Sequence, residues 1–134
     1  MNQLHRLLFA VCALTLALCP ALKAEAKHDV SKLVLDSAKR AYNDKQYGYA
    51  AARFREFLAR FATNPQALHA KFGLSLTLID SRGSSDEELK TAVAQLTEVV
   101  AAKDFLERQH ALYYLALGNR RLGESAMFKA KSKQ

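Results

Sequence analysis

The chain has 134 residues, 20 of them basic and 13 acidic, for a formal net charge of +7 at neutral pH. That length holds one domain with a modest core and not two. The surplus of positive charge favours acidic partners over basic ones, but the basic residues are spread along the chain as on an ordinary solvated surface.

Taken in chain order, Met1 to Ala26 reads as a secretory signal peptide. Arg6 and the amino terminus give a positive start, an apolar run follows from Leu7 to Cys19, and Pro20 precedes Ala24-Glu25-Ala26, a small-x-small cleavage pattern. The run is about 13 residues where a membrane span takes about 20, so it touches the membrane only in transit. A lipobox wants a small residue where Leu18 stands, which disfavours acylation of Cys19. Cleavage after Ala26 removes both cysteines, so the remaining chain has no thiol and suits an oxidising compartment. Loss of Arg6, Lys23 and Glu25 leaves a net charge of +6. Export makes the product periplasmic or secreted, and nucleic acid is not expected as its partner.

Helix signals dominate the rest, residues 27–123, and no segment alternates apolar and polar residues long enough for a strand. The first predicted helix covers about Asp29 to Asn43, with Val30, Val34, Ala38, Ala41 and Tyr42 on one stripe. The second covers about Gln46 to Ala62, where Tyr47, Ala50, Ala51, Phe54, Phe57, Leu58 and Phe61 recur at steps of three and four. Asn64 is then placed as an N-cap with Pro65 at the first helical position, opening a third helix that runs to about Asp80. After the turn Ser81-Arg82-Gly83-Ser84, Ser85 and Glu88 form a capping box, and the fourth helix runs to about Ala102. The fifth covers about Leu106 to Leu122 and closes at Gly123. Residues 124–134 read as a basic stub, short or frayed.

Laid over each other, the helix pairs share a spacing. Ala38 precedes Ala50, which is followed by Phe54 and Phe57; Gly73 precedes Ala92, which is followed by Leu96 and Val99 at the same steps. Ala116 is the third small residue, 43 positions after Gly73, itself 35 after Ala38. Antiparallel helices approach closely only where one offers a small side chain and a large one on its partner fills the space beside it.

These residues carry a resemblance. The stretch from Tyr47 to Pro65 looks like the second helix and proline-bearing exit of a tetratricopeptide (TPR) repeat. Ala70-Lys71-Phe72-Gly73-Leu74 looks like the opening helix of the next repeat, and the stretch from Ala111 to Gly118 like a third. The chain departs from the family pattern in lacking an aromatic early in its first helix and in having Phe57 where the family has a small residue. It is similar in flavour to bacterial cell-envelope and periplasmic TPR proteins. The resemblance implies an all-α fold of stacked antiparallel hairpins, a short right-handed superhelix of about two and a half repeats. It also implies a protein–protein interaction module that takes a peptide or partner helix on its concave face. On this chain that face would carry Lys39, Tyr42 and Asn43, then Leu74, Thr77 and Leu78, then His110, Tyr113, Leu117, Arg120 and Arg121. Lys39, Arg120 and Arg121 would suit an acidic ligand. In the plainer alternative the tyrosines are core and the arginines cap the last turn of the fifth helix.

No catalytic pattern stands out. His28, His69 and His110 have no carboxylate or second histidine at metal-ligand spacing, and His69, between Leu68 and Phe72, reads as packed or half-buried. Asp86-Glu87-Glu88 is accounted for by helix capping, and Ser84-Ser85 has no base nearby. The expectation is a non-enzyme without metal or cofactor. Its alternative role is a structural piece of a larger TPR protein or a lipoprotein-type envelope assembly factor, self-associating through a last hairpin left incomplete.

Overall fold

The computed structural model describes the backbone of residues 19–133 and the side chains of residues 30–133. The expected signal peptide therefore lies outside the described residues up to Leu18. Five helices follow one another: α1 (Cys19–Asn43), α2 (Tyr47–Arg60), α3 (Ala67–Asp80), α4 (Asp86–Ala101) and α5 (Arg108–Lys131). No strand occurs among the described residues. Contacts divide the chain within α1 into Met1–Leu33 and Val34–Gln134, and the packing below is that of the second unit. No helix among the described residues is long and apolar enough to cross a membrane.

The α1 helix runs ten residues further toward the amino terminus than its apolar stripe suggests, and Val30 at the head of that stripe is exposed while Val34, Leu35, Ala38 and Ala41 are buried. It ends in a Schellman closure. The Gln46 N–H donates to the Ala41 carbonyl and the Lys45 N–H to that of Tyr42, both at 2.9 Å. Lys45 takes the left-handed position there at φ 59°, which glycine fills at lower cost. The α2 helix buries Ala50, Ala51, Phe54 and Phe57, the stripe expected of it. Burial of each phenylalanine contributes roughly 1.5–3 kcal/mol.

Of three helix ends with a sequence signal, two differ from expectation. Asn64 does not cap α3, which starts at Ala67. Its carboxamide oxygen instead accepts the Gln66 N–H at 2.8 Å, a local turn that competes with the helix. The capping box of α4 is present as read, with Glu88 N–H donating to the Ser85 hydroxyl and Ser85 N–H to the Glu88 carboxylate. The α5 helix passes through Gly123 without a left-handed turn and continues to Lys131. Asp86, at the start of α4, holds that extension: it accepts from the Ser125 hydroxyl at 2.7 Å and from the Lys129 ammonium.

Each of α2, α3 and α4 packs against the next helix, and α3 also meets α5. Being flanked on several sides, α3 buries eight of its fourteen residues. Two glycine notches fix the approach. A Cβ on Gly73 would stand 2.4 Å from the Phe54 ring, and one on Gly118 would stand 3.0 Å from Val93 and 3.1 Å from Ile79. Gly118, rather than the expected Ala116, is thus the small contact on α5; Ala116 is exposed. Ion pairs tie the surface together, with Arg55 reaching Glu88 at 2.8 Å between α2 and α4 and Lys71 reaching Glu98 between α3 and α4.

Candidate functional site

The end of α3 is where three helices are drawn together. Asp80 closes that helix, and a carboxylate at a helix C-terminus opposes the helix dipole unless donors reach it. Two do. The Tyr42 hydroxyl, from the last turn of α1, donates to Asp80 Oδ2 at 2.6 Å, and the Tyr114 hydroxyl of α5 donates to the same oxygen at 3.1 Å. Burial first, and the carboxylate second, push the Tyr42 hydroxyl far above the ordinary phenol range; burial raises Tyr114 as well. Both hydroxyls are therefore neutral donors at physiological pH, holding their protons rather than exchanging them. Arg121 completes the assembly. Its guanidinium donates to the carbonyls of Ile79 and, at 3.1 Å, Ser81. An arginine cap exists, as the plainer reading of the sequence had it, but on α3 rather than on the helix that bears the arginine.

An aromatic row leads away from this assembly. The Tyr114 ring meets His110 edge-on at 5.0 Å and Tyr113 at 5.5 Å. His110 in turn meets Phe72 at 5.7 Å, Phe72 meets Phe105 at 5.4 Å, and His69 lies 4.9 Å from Phe105. Edge-to-face pairs of this kind add about 0.5–1.5 kcal/mol each beyond burial. They hold His110 and Tyr113 in defined positions at the surface, where Tyr113 is 62 % exposed. One turn along, Tyr113, Ala116, Leu117 and Arg120 line a depression of about 220 Å³. Arg120 is open to solvent, with Glu124 3.6 Å from its Nε.

Of the residues expected on the concave face, some are exposed and others are not. Lys39 and Asn43 are exposed on α1, His110, Tyr113 and Arg120 are exposed on α5, and Tyr113, Leu117 and Arg120 share the depression. Tyr42 and Arg121 are half-buried and committed to holding α3. Thr77 is no surface residue. It is fully buried, its hydroxyl donating to the Gly73 carbonyl at 2.7 Å, and Leu74 and Leu78 beside it are core. The central row of the expected face is therefore closed, because α3 is covered on too many sides to present it.

Asp80 and Tyr114 escaped the sequence reading. The signal was a lone carboxylate ending the run Leu76-Thr77-Leu78-Ile79, a place that demands donors from elsewhere. A second cleft, of about 200 Å³, was also missed; Tyr47, Ala51, Leu78 and Ser81 line it, and the Arg55–Glu88 ion pair stands at its wall. That pair brings both signs of charge and no net attraction for an ion. Comparison of the chain with protein-family models, curated proteins and solved structures gave no match.

Proposed function

We propose that the chain is an exported, non-catalytic interaction module of the bacterial cell envelope, built as a short TPR-like stack of about two and a half hairpins. It holds an acidic peptide or the acidic side of a partner helix along α1 and α5. The observation that carries this reading is the depression beside Tyr113, which joins an exposed aromatic ring packed on Tyr114 to the solvent-exposed guanidinium of Arg120, whose partner in the chain is Glu124. Tyrosine supplies apolar contact area with little loss of side-chain freedom, and arginine forks onto a carboxylate with two hydrogen bonds. Lys39 on α1, with no ion pair among the described residues, extends the positive character, as does the net charge of the whole chain. The consecutive packing of α2 to α5, with α3 also touching α5, supports the stacked-hairpin reading. The leader-like first 26 residues support export.

The test is a pulldown from an envelope extract with the full chain as bait, beside the variant Tyr113→Ala/Arg120→Glu. Wild type should retain a specific partner that the variant loses, since reversing a charge that pairs with a carboxylate costs on the order of 1.5–3 kcal/mol, or about 10- to 100-fold in affinity. Identical eluates reject the reading.

A further inference from the structure

The last helix carries a second face that the fold leaves open. Successive residues turn by about 100° around a helix, which puts Leu112, Ala116, Gly123 and Met127 on one strip, away from the Ala111 and Gly118 side that packs inward. Leu112 is 43 % exposed and Met127 62 %. Gly123 has no left-handed backbone, and a side chain built on it would meet nothing within 4 Å, so the fold does not require glycine there. An alanine would make the better helix. Large apolar residues at the two ends of the strip, with Ala116, the short Asn119 and Gly123 between them, form the relief that a second helix fills.

We propose that this strip docks an acidic amphipathic helix of a partner protein, a proposal that rests on the chain's being an interaction module. Charge selects the occupant. On α5 the basic residues that flank the strip are Arg108, Arg120 and Lys131, against the single acid Glu124, while Arg121 and Lys129 are taken up by the carbonyls that end α3 and by Asp86. A second copy offering the same helix would bring like charge to like. The chain also shows the preferred arrangement on the other side of α5, where α4 lies. That helix bears Asp86, Glu87, Glu88 and Glu98 against Lys90, its Val93 faces the Gly118 notch, and its Asp86 takes up Lys129. The strip repeats those elements facing outward: a glycine notch, flanking apolar anchors and basic residues alongside. The copy's own α4 is not available for it, since Leu89, Ala92, Leu96 and Val99 are already buried.

The probe is a fluorescently labelled helical peptide of about 18 residues, a length at which a helix is stable enough to present one face, with a leucine–valine strip and glutamates on both flanks. Its controls are the same strip with lysine flanks and the glutamate peptide with the strip scrambled. Titrated with the full chain, only the first peptide should give a saturable rise in anisotropy, and added salt should weaken it. Gly123→Leu, which lies outside the Tyr113 depression, should leave the helix content and melting temperature at least at the wild-type level, because the position is exposed and leucine is the better helix former, yet weaken binding by about tenfold or more. Equal binding by the lysine-flanked peptide, or by the leucine variant, overturns the proposal. If Tyr113→Ala abolishes binding while the leucine variant retains it, the helix sits in the Tyr113 depression. The strip is then wrong and the interaction module stands. Sedimentation of the chain alone supplies the last arm: a concentration-dependent dimer that the leucine variant abolishes would assign the strip to a second copy and likewise overturn it.

Discussion

Tyr42 shows how one side chain can be mistaken for a ligand contact and turn out to hold the fold. Its ring packs beside Tyr47 at 6.0 Å, while its hydroxyl reaches Asp80 across 38 positions of sequence. Hydrogen bonds to a charged acceptor contribute about 1.5–3 kcal/mol, and removal of the donor leaves a half-buried carboxylate short of a partner. Tyr42→Phe should therefore lose stability of that order at neutral pH, read from urea unfolding. The pH dependence has a definite sign. The folded chain keeps the phenolic proton to a higher pH than the unfolded chain, which releases it near pH 10. The stabilisation is complete below about pH 10 and declines above it, as the unfolded state alone gives up its proton. The slope from this one group is at most about 1.4 kcal/mol per pH unit, less what solvent screening removes at a half-buried site. The gap between wild type and Tyr42→Phe should accordingly narrow from pH 10 upward; a gap that stays constant to pH 11 contradicts the assignment.

The α2 and α3 helices depend on one interlock, the Phe54 ring seated over Gly73. Gly73→Ala places a methyl 2.4 Å from ring atoms that are themselves buried, so the ring must shift within a filled core. Overpacking of this kind costs about 1–3 kcal/mol, although alanine is the better helix former by about 1 kcal/mol. Phe54→Leu alone should also destabilise, but the pair Gly73→Ala/Phe54→Leu should lose less than the two single losses combined, a coupling that a double-mutant cycle measures. Strict additivity would mean that the ring and the notch do not act together. The sequence pattern singled out Gly73 as a small contact but set it beside Ala92 of α4, whereas the ring over it is Phe54 of α2; its other small residues Ala38, Ala50 and Ala92 are fully buried. It misplaced the last member. Ala116 and Gly118 are both small and both lie beside leucines, and only the positions of Val93 and Ile79 in space select the glycine. Local signals were outvoted at the end of α5, where Gly123 reads as a stop but Ser125 and Lys129 are held by Asp86 some forty positions earlier. The resemblance puts Thr77 on the concave face, yet a hydroxyl that returns to the carbonyl four residues before it is content in a core. The carboxylate of Asp80 at the end of an apolar run calls for donors, but nothing local says which, since Tyr42 and Tyr114 lie 38 and 34 positions away.

At the scale of the whole second unit, stability is concentrated in α3 and thins toward the carboxyl end. The α3 helix lies against α2, α4 and α5, and the bonds from Tyr42, Tyr114 and Arg121 all converge on its last turn. Beyond Leu122, by contrast, α5 has only Ser125 half-buried, every other described residue being exposed, and Asp86 anchors it to the rest through Ser125 and Lys129. Opening free energies follow burial and local contact, so amide exchange should be slowest in Ala70–Ile79 and fastest, among helical residues, from Met127 onward. Two substitutions separate the causes. Asp86→Asn keeps the helix former at the start of α4 while weakening the charge that holds Lys129, and it should accelerate exchange after Gly123 without altering α3. Arg121→Gln removes the guanidinium from the carbonyls at the end of α3 and should accelerate exchange there first. Were both variants to speed exchange uniformly over all the helices, the unit would open only as a whole. The last helix would then be no more mobile than the core, and the open face of α5 would be as rigid a docking surface as the buried one.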